Sequence, residues 1–211
     1  MKMAKIYQGI DLSKHNRVDS WELVKKKNKV EFCILRAGGN YGGMYKDSKF
    51  EKYYDACKNY GIPVGAYYDA GKEFIGTDAG IEDAEHFLKL LSGKQLEYPV
   101  ALDIEVTPAK YRTSITNAAI AFCNVMESHG YYVSIYGADI STFAEELDIR
   151  YLTKFDKWVA RIPHRPSYVK DYGIWQYSHS GSINGIFGNV DLDYSYKNYP
   201  KIIKGAHLNG Y

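Results

Sequence analysis

Cysteine is scarce in this chain. Cys33, Cys57 and Cys123 are the only three among 211 residues. Being odd in number and widely spaced, they form no C-x-x-C pair and no metal-ligand spacing. Nothing about them demands an oxidising compartment, and Cys33, inside an apolar strand pattern, reads as a small buried hydrophobe. Long apolar runs are also missing: none approaches the roughly 20 residues of a membrane-crossing helix, so no membrane insertion is expected. An excess of one charge is absent too. Lys and Arg number 27 against 25 Asp and Glu, for a net charge of +2, without the concentrated basic face that a nucleic-acid partner requires. The run Lys25-Lys26-Lys27 reads as the solvated side of a helix. There is no internal repeat and no low-complexity segment. Met1-Lys2-Met3-Ala4-Lys5 leads into a strand with no apolar leader, so no secretory signal is expected.

Tyrosine, in contrast, is abundant, with 21 copies. Its apolar face and polar tip suit a partly wet groove that holds sugar rings, although core tyrosines would give the same count. The stretch Tyr98-Pro99-Val100-Ala101-Leu102-Asp103-Ile104-Glu105-Val106 reads as a short buried strand. Strand side chains alternate faces, so Asp103 and Glu105 point the same way, with Ile104 opposite. Two carboxylates on a mostly apolar strand are expensive to bury without a purpose.

The rest of the chain supplies the setting. Strands are expected at residues 6–12, 31–37 and 62–68, then Tyr98 to Val106, then 131–136, 157–161, 173–177 and 188–192. Helices are expected at 19–27, 47–60, 77–91, from Ser114 or Thr116 to 128, and briefly at 141–147. Ser20 or Asp19 caps the first, Asp47-Ser48 the second, and Gly130 ends the fourth in the C′ position. A glycine-rich loop, 38–43, follows the second strand. The first five strands alternate with helices, which predicts an α/β fold with a largely parallel sheet. The architecture expected is an irregular TIM-like β/α barrel of about eight strands, with short or missing helices in the C-terminal third. Residues 1–200 form one catalytic domain in this reading, and 201–211 a tail or the start of a linker.

In a β/α barrel the chemistry sits at the C-terminal strand ends. That rule gathers Asp11, Asp103, Glu105 and Asp191 around one mouth, with Trp175, Gln176 and Tyr177 beside them. Two chemistries use such a ring. One is glycoside hydrolysis, with one acid protonating the leaving oxygen and another carboxylate stabilising the sugar cation. The other is an oxygen-liganded divalent metal site, for which His15 is the only nearby histidine; the aromatics beside the acids favour sugar. A non-catalytic carbohydrate-binding barrel is a third reading, which would keep the aromatics but need not keep both carboxylates.

Five motifs, in order along the chain, are similar to those of glycoside hydrolase family 25 lysozymes. Gly9-Ile10-Asp11-Leu12-Ser13 resembles the family's G-x-D-x-S opening, Gly61 to Tyr67 its G-i-x-V-G-x-Y strand, and Pro99 to Glu105 its D-x-E strand. Ile174-Trp175-Gln176-Tyr177 resembles its W-Q-Y strand, and Gly188 to Asp193 its closing G-x-V-D-x-N. The resemblance implies an N-acetylmuramidase that cuts the β-1,4 bond between N-acetylmuramic acid and N-acetylglucosamine with net retention, needing neither metal nor cofactor. By position, Glu105 becomes the general acid and then the base that activates water. Asp103 stabilises the charge at the sugar, either by attacking it or by orienting the substrate's 2-acetamido group. Asp11 and Asp191 line the pocket and raise the proton affinity of Glu105 by like charge. Tyr67, Tyr136 and Trp175 become sugar-stacking platforms, and Gln176 and Arg36 further substrate contacts.

The implied partner is the peptidoglycan glycan strand, with a wall-binding module in a longer parent chain. The implied source is a phage endolysin or an autolysin, made in the cytoplasm of a bacterial host and acting on the extracellular wall. Departures from the pattern bear on substrate preference. Family members often continue the second strand as I-R-A-T-E-G, whereas Ala37-Gly38-Gly39-Asn40 lacks that acid. Asp69 adds an unexpected acid after Tyr68, and Arg17 stands where Gly often follows Asn16. The family 18 chitinase pattern D-x-x-D-x-D-x-E fails, because Tyr98 and Ala101 occupy its first two acidic places.

Overall fold

The computed structural model describes residues 5–105 and 109–211. The leader reading at residues 1–4 and the strand end at Val106 lie outside the described residues.

Eight strands close into a barrel: β1 (Tyr7–Leu12), β3 (Phe32–Asn40), β5 (Val64–Ala70), β6 (Val100–Ile104), β7 (Val133–Ala138), β8 (Asp156–Ala160), β9 (Ile174–Gly181) and β11 (Val190–Ser195). The first seven are parallel from β1 through β9, and β11 fills the gap between β9 and β1, antiparallel to both. The reversal has a simple cause. A parallel crossover needs a dozen or more residues, and the link from β9 to β11 holds only the two-residue β10 (Ile186–Phe187), which pairs with β2 (Arg17–Val18).

Helices α1 (Trp21–Lys27), α2 (Phe50–Asn59), α3 (Thr77–Leu91) and α4 (Arg112–Ser128) follow the early strands, while a single π-helical turn, Ser141–Glu146, follows β7. Ser20 caps α1, its side chain accepting from Leu23 N. Gly130, with φ +80°, follows the end of α4 as expected. Two expected caps do different work. Asp47 lies two residues before the N-cap Lys49: its Oδ1 accepts from the Lys49 N–H, while Oδ2 binds Arg36 and the Lys14 N–H. Thr116 lies inside α4, donating to the Arg112 carbonyl and accepting from Asp148 N.

The expected glycine-rich loop is partly strand. β3 runs on to Asn40 and pairs with β4 (Met44–Lys46). A Cβ on Gly38 would lie 2.2 Å from the Tyr45 carbonyl oxygen, so this hairpin closes only over glycine.

Alternation along β6 divides the core. Val100, Leu102 and Ile104 join the layer between sheet and helices with Phe87 and Phe122, while Ala101 joins Phe32, Ile34, Tyr98, Trp158 and Ile174 inside the barrel. Tyr199 and Ile203 of α5 (Tyr199–Gly205) belong to that inner cluster. Residues 201–211 are therefore not a tail. Asn209 is fully buried, donates to the Tyr98 carbonyl at 2.9 Å and accepts from Tyr132 N at 2.7 Å. Several tyrosines serve the core rather than a groove: Tyr132 and Tyr199 donate to Asp156, and Tyr98 stacks on Phe32.

Candidate active site

The inward alternation that places Ala101 in the core continues upward to Asp103. Asp103 is buried, and Glu105 follows the strand end with an exposed side chain. Around them the barrel mouth forms a cleft of about 340 Å³ lined by Asp11, Tyr67, Asp103, Glu105, Tyr136, Trp158, Gln176 and Asp191, together with Ala160, Ile162 and His179. Asp191 belongs there because β11 is antiparallel: it sits at the start of its strand, opposite Asp11. Seven of the nine residues expected at the site thus meet in one cleft.

Arg36 lines a neighbouring cleft of about 660 Å³, with Lys14, His15, Tyr41, Tyr45, Asp69 and Glu105 among its walls. Its guanidinium is occupied by Asp47 at 2.9 Å and Asp69 at 3.3 Å. Glu105 lines both clefts.

Trp175 lines neither cleft. Gln176 faces inward, so its neighbour faces out. The Trp175 indole donates to the Arg161 carbonyl at 2.9 Å and packs near Tyr177 and Tyr194. It lines none of the mouth cleft, and the tryptophan that does is Trp158, whose ring lies 4.4 Å from that of Tyr136.

Hydrogen bonds fix the floor. Gln176 Nε2 donates to Asp11 Oδ2 at 2.9 Å, and the Tyr136 hydroxyl donates to Gln176 Oε1 at 2.9 Å. Trp158 Nε1 donates to Asp193 Oδ1 at 2.8 Å. Asp193 is fully buried and was not among the residues expected at the site. Its two-residue spacing from Asp191 was the available signal, since that spacing returns to the same strand face.

The proton affinity of these acids is raised. Burial raises Asp103 well above the usual carboxylate range, Glu105 and Asp69 add to this, and Arg36 opposes it. Glu105 is raised by burial, then by Asp69 and Asp191, with the Tyr136 hydroxyl opposing. Asp191 thus raises Glu105 as expected, and Asp69, the acid that departs from the motif pattern, does so more strongly. Asp11 is raised by burial, Asp193 and Asp191. Neighbouring carboxyls that raise the proton affinity of Glu105 suit it to proton donation.

With this geometry in place, residues 10–186 match the model of the glycosyl hydrolases family 25. The chain belongs to that family. Among relatives of this family 25 chain, the autolytic lysozyme of Clostridium acetobutylicum is 28% identical over 200 residues, covering 92% of the chain and 55% of the relative. Lysozyme M1 of Streptomyces globisporus is 28% identical over 202 residues, covering 87% and 66%. The chain therefore spans between about half and two thirds of the length of these two proteins. The crystal structure of the CTP1L endolysin superposes with a TM-score of 0.78 at 25% identity, covering 94% of this chain and 70% of that one.

Proposed function

We propose that this family 25 chain is a muramidase. It hydrolyses the β-1,4 bond between N-acetylmuramic acid and N-acetylglucosamine in peptidoglycan, with net retention at the anomeric carbon, and lyses bacterial walls. The observation that carries this reading is the position of Glu105. It stands where two clefts meet, its proton affinity raised by the desolvating cleft walls and by Asp69, so a polymer lying along the mouth passes it with sugars on both sides.

Glu105 gives its proton to the glycosidic oxygen as the bond to the leaving sugar breaks. Asp103 Oδ1 is buried and has no hydrogen-bond partner among the described residues. A 2-acetamido N–H of the substrate supplies the missing donor. Oriented in this way, the acetamido carbonyl oxygen attacks the anomeric carbon from the opposite face. Glu105, now a carboxylate, then removes a proton from the water that opens this intermediate. Two inversions give net retention.

Glu105→Gln tests the assignment, because the amide keeps the shape and has no acidic proton. A loss of about 10²- to 10⁴-fold in clearing of a peptidoglycan suspension is expected for loss of a general acid. Mass analysis of wild-type digests should find muramic acid at the reducing ends, and NMR the retained anomer first. Near-wild-type clearing by folded Glu105→Gln removes the role from Glu105, and glucosamine at the reducing ends removes the bond assignment.

A further inference from the structure

The reaction outlined above does not use Asp193, which is fully buried. Asp193 Oδ1 accepts from Trp158 Nε1, while Oδ2 is buried without a partner among the described residues. The register of β1 on β11 sets Asp11 opposite Asp191 and Gly9 opposite Asp193. Asp11 and Asp193 are therefore diagonal neighbours on the inward face, both buried, and a proton on Asp11 is the donor that the orphaned Asp193 Oδ2 lacks. Asp11 is itself buried, with Oδ2 held by Gln176. Two ionised carboxylates this close, away from water, repel strongly, whereas one proton between them makes a charge-assisted O–H···O bond.

We propose that Asp11 and Asp193 share one proton across the cleft floor, that this bond fixes the Asp11 carboxyl toward the sugar cleft, and that its loss sets the alkaline limit of activity. Asp193 is then a positioning residue that acts through Asp11. The titratable groups bearing on the pair are Asp191 on β11, Tyr177 on β9, Tyr136 on β7, Tyr67 on β5 and Cys33 on β3. Asp191 adds negative charge and none of the others is cationic, so the surroundings favour keeping the proton. Burial acts in the same direction on both carboxyls. The pair titrates as a unit, and its proton belongs to neither residue alone.

The experiment has two arms, because the activity arm rests on the muramidase reading and the spectroscopic arm does not. Asp193→Asn keeps an acceptor for Trp158 and an N–H donor for Asp11, with no proton to lose. The alkaline limb of its pH–kcat/KM profile on peptidoglycan should move up by about one pH unit or more. Asp193→Leu, which has neither group, should lose about tenfold or more in kcat/KM across the profile. In the second arm, wild-type protein carrying carbon-13 aspartate carboxyls is titrated by NMR. Two carboxyl resonances should move together above the ordinary carboxylate range, and Asp193→Asn should leave Asp11 titrating at lower pH. An unmoved alkaline limb in folded Asp193→Asn overturns the proposal. So does a wild-type spectrum in which both carboxyls ionise independently in the ordinary range; that spectrum decides the matter alone if the variant does not fold. Wild-type protein that fails to cut peptidoglycan refutes the muramidase reading and leaves the shared proton to the NMR result.

Discussion

Replacing Asn209 by Ala should destabilise the whole barrel, although the residue is third from the end of the sequence. Asn209 is fully buried beneath the barrel, with φ +55°. Its side chain satisfies two backbone groups, the Tyr98 carbonyl just before β6 and the Tyr132 N–H just before β7. Its own backbone pairs with the Gly130 carbonyl and Leu96 N. Alanine strands the two groups that the side chain serves, at about 1–3 kcal/mol each for a buried, unpaired polar group. Holding alanine in the left-handed region adds about 1–2 kcal/mol. The sum, about 3–8 kcal/mol, rivals the whole stability of an ordinary domain, about 5–15 kcal/mol. Urea unfolding followed by tryptophan fluorescence measures it, with Asn209→Gly as the partner variant. Glycine accepts the left-handed backbone but not the lost hydrogen bonds, so it should recover only the backbone share. A change below about 1 kcal/mol for the alanine variant would refute the buried-anchor account. Equal losses for alanine and glycine would refute the backbone part alone.

Other perturbations test the site and its frame. Asp69→Asn removes the main negative neighbour of Glu105 and should lower the pH at which the Glu105 carboxyl titrates, read by carbon-13 NMR of labelled glutamate; an upward shift contradicts the electrostatic assignment. Gly9→Ala puts a Cβ about 2.3 Å from the Phe32 ring and should lower stability by about 1–3 kcal/mol in a urea titration. Trp175→Phe removes the indole donor to the Arg161 carbonyl, so stability should fall while KM for wall fragments holds, the reverse of what a sugar platform gives. Stability itself should peak in mild acid. Asp11, Asp103 and Asp193 have raised proton affinity in the fold, so their contribution is full below about pH 4 and is lost as pH rises through their folded values. Glu97 and Asp139 are lowered despite burial, Glu97 by hydrogen bonds from Lys58 and Tyr211, Asp139 by the backbone N–H groups of residues 167–169. Their contribution is present above about pH 4 and is lost below it. Urea midpoints that rise steadily from pH 5 to pH 8 would refute this balance.

The sequence by itself determined much of this molecule. Period-two alternation put Asp103 and Glu105 on one strand face, and the strand–helix rhythm to residue 136 specified a parallel barrel with its chemistry at the C-terminal ends. Both are local properties of the backbone, readable within a few residues. The tertiary structure decided what depends on residues far apart in the chain. Only barrel closure shows that β11 is antiparallel, which carries Asp191 to the mouth from the start of its strand and sets buried Asp193 diagonally from Asp11 on the inward face. The single-residue phase of β9, fixed by its neighbours, turned Gln176 inward and Trp175 outward. Residues 201–211 resembled a tail because the groups that need them, Tyr98 and Tyr132, lie about 80 to 110 residues away. The main charge acting on Glu105 likewise comes from Asp69 on another strand, because electrostatic neighbours are set by closure of the barrel and not by order along the chain.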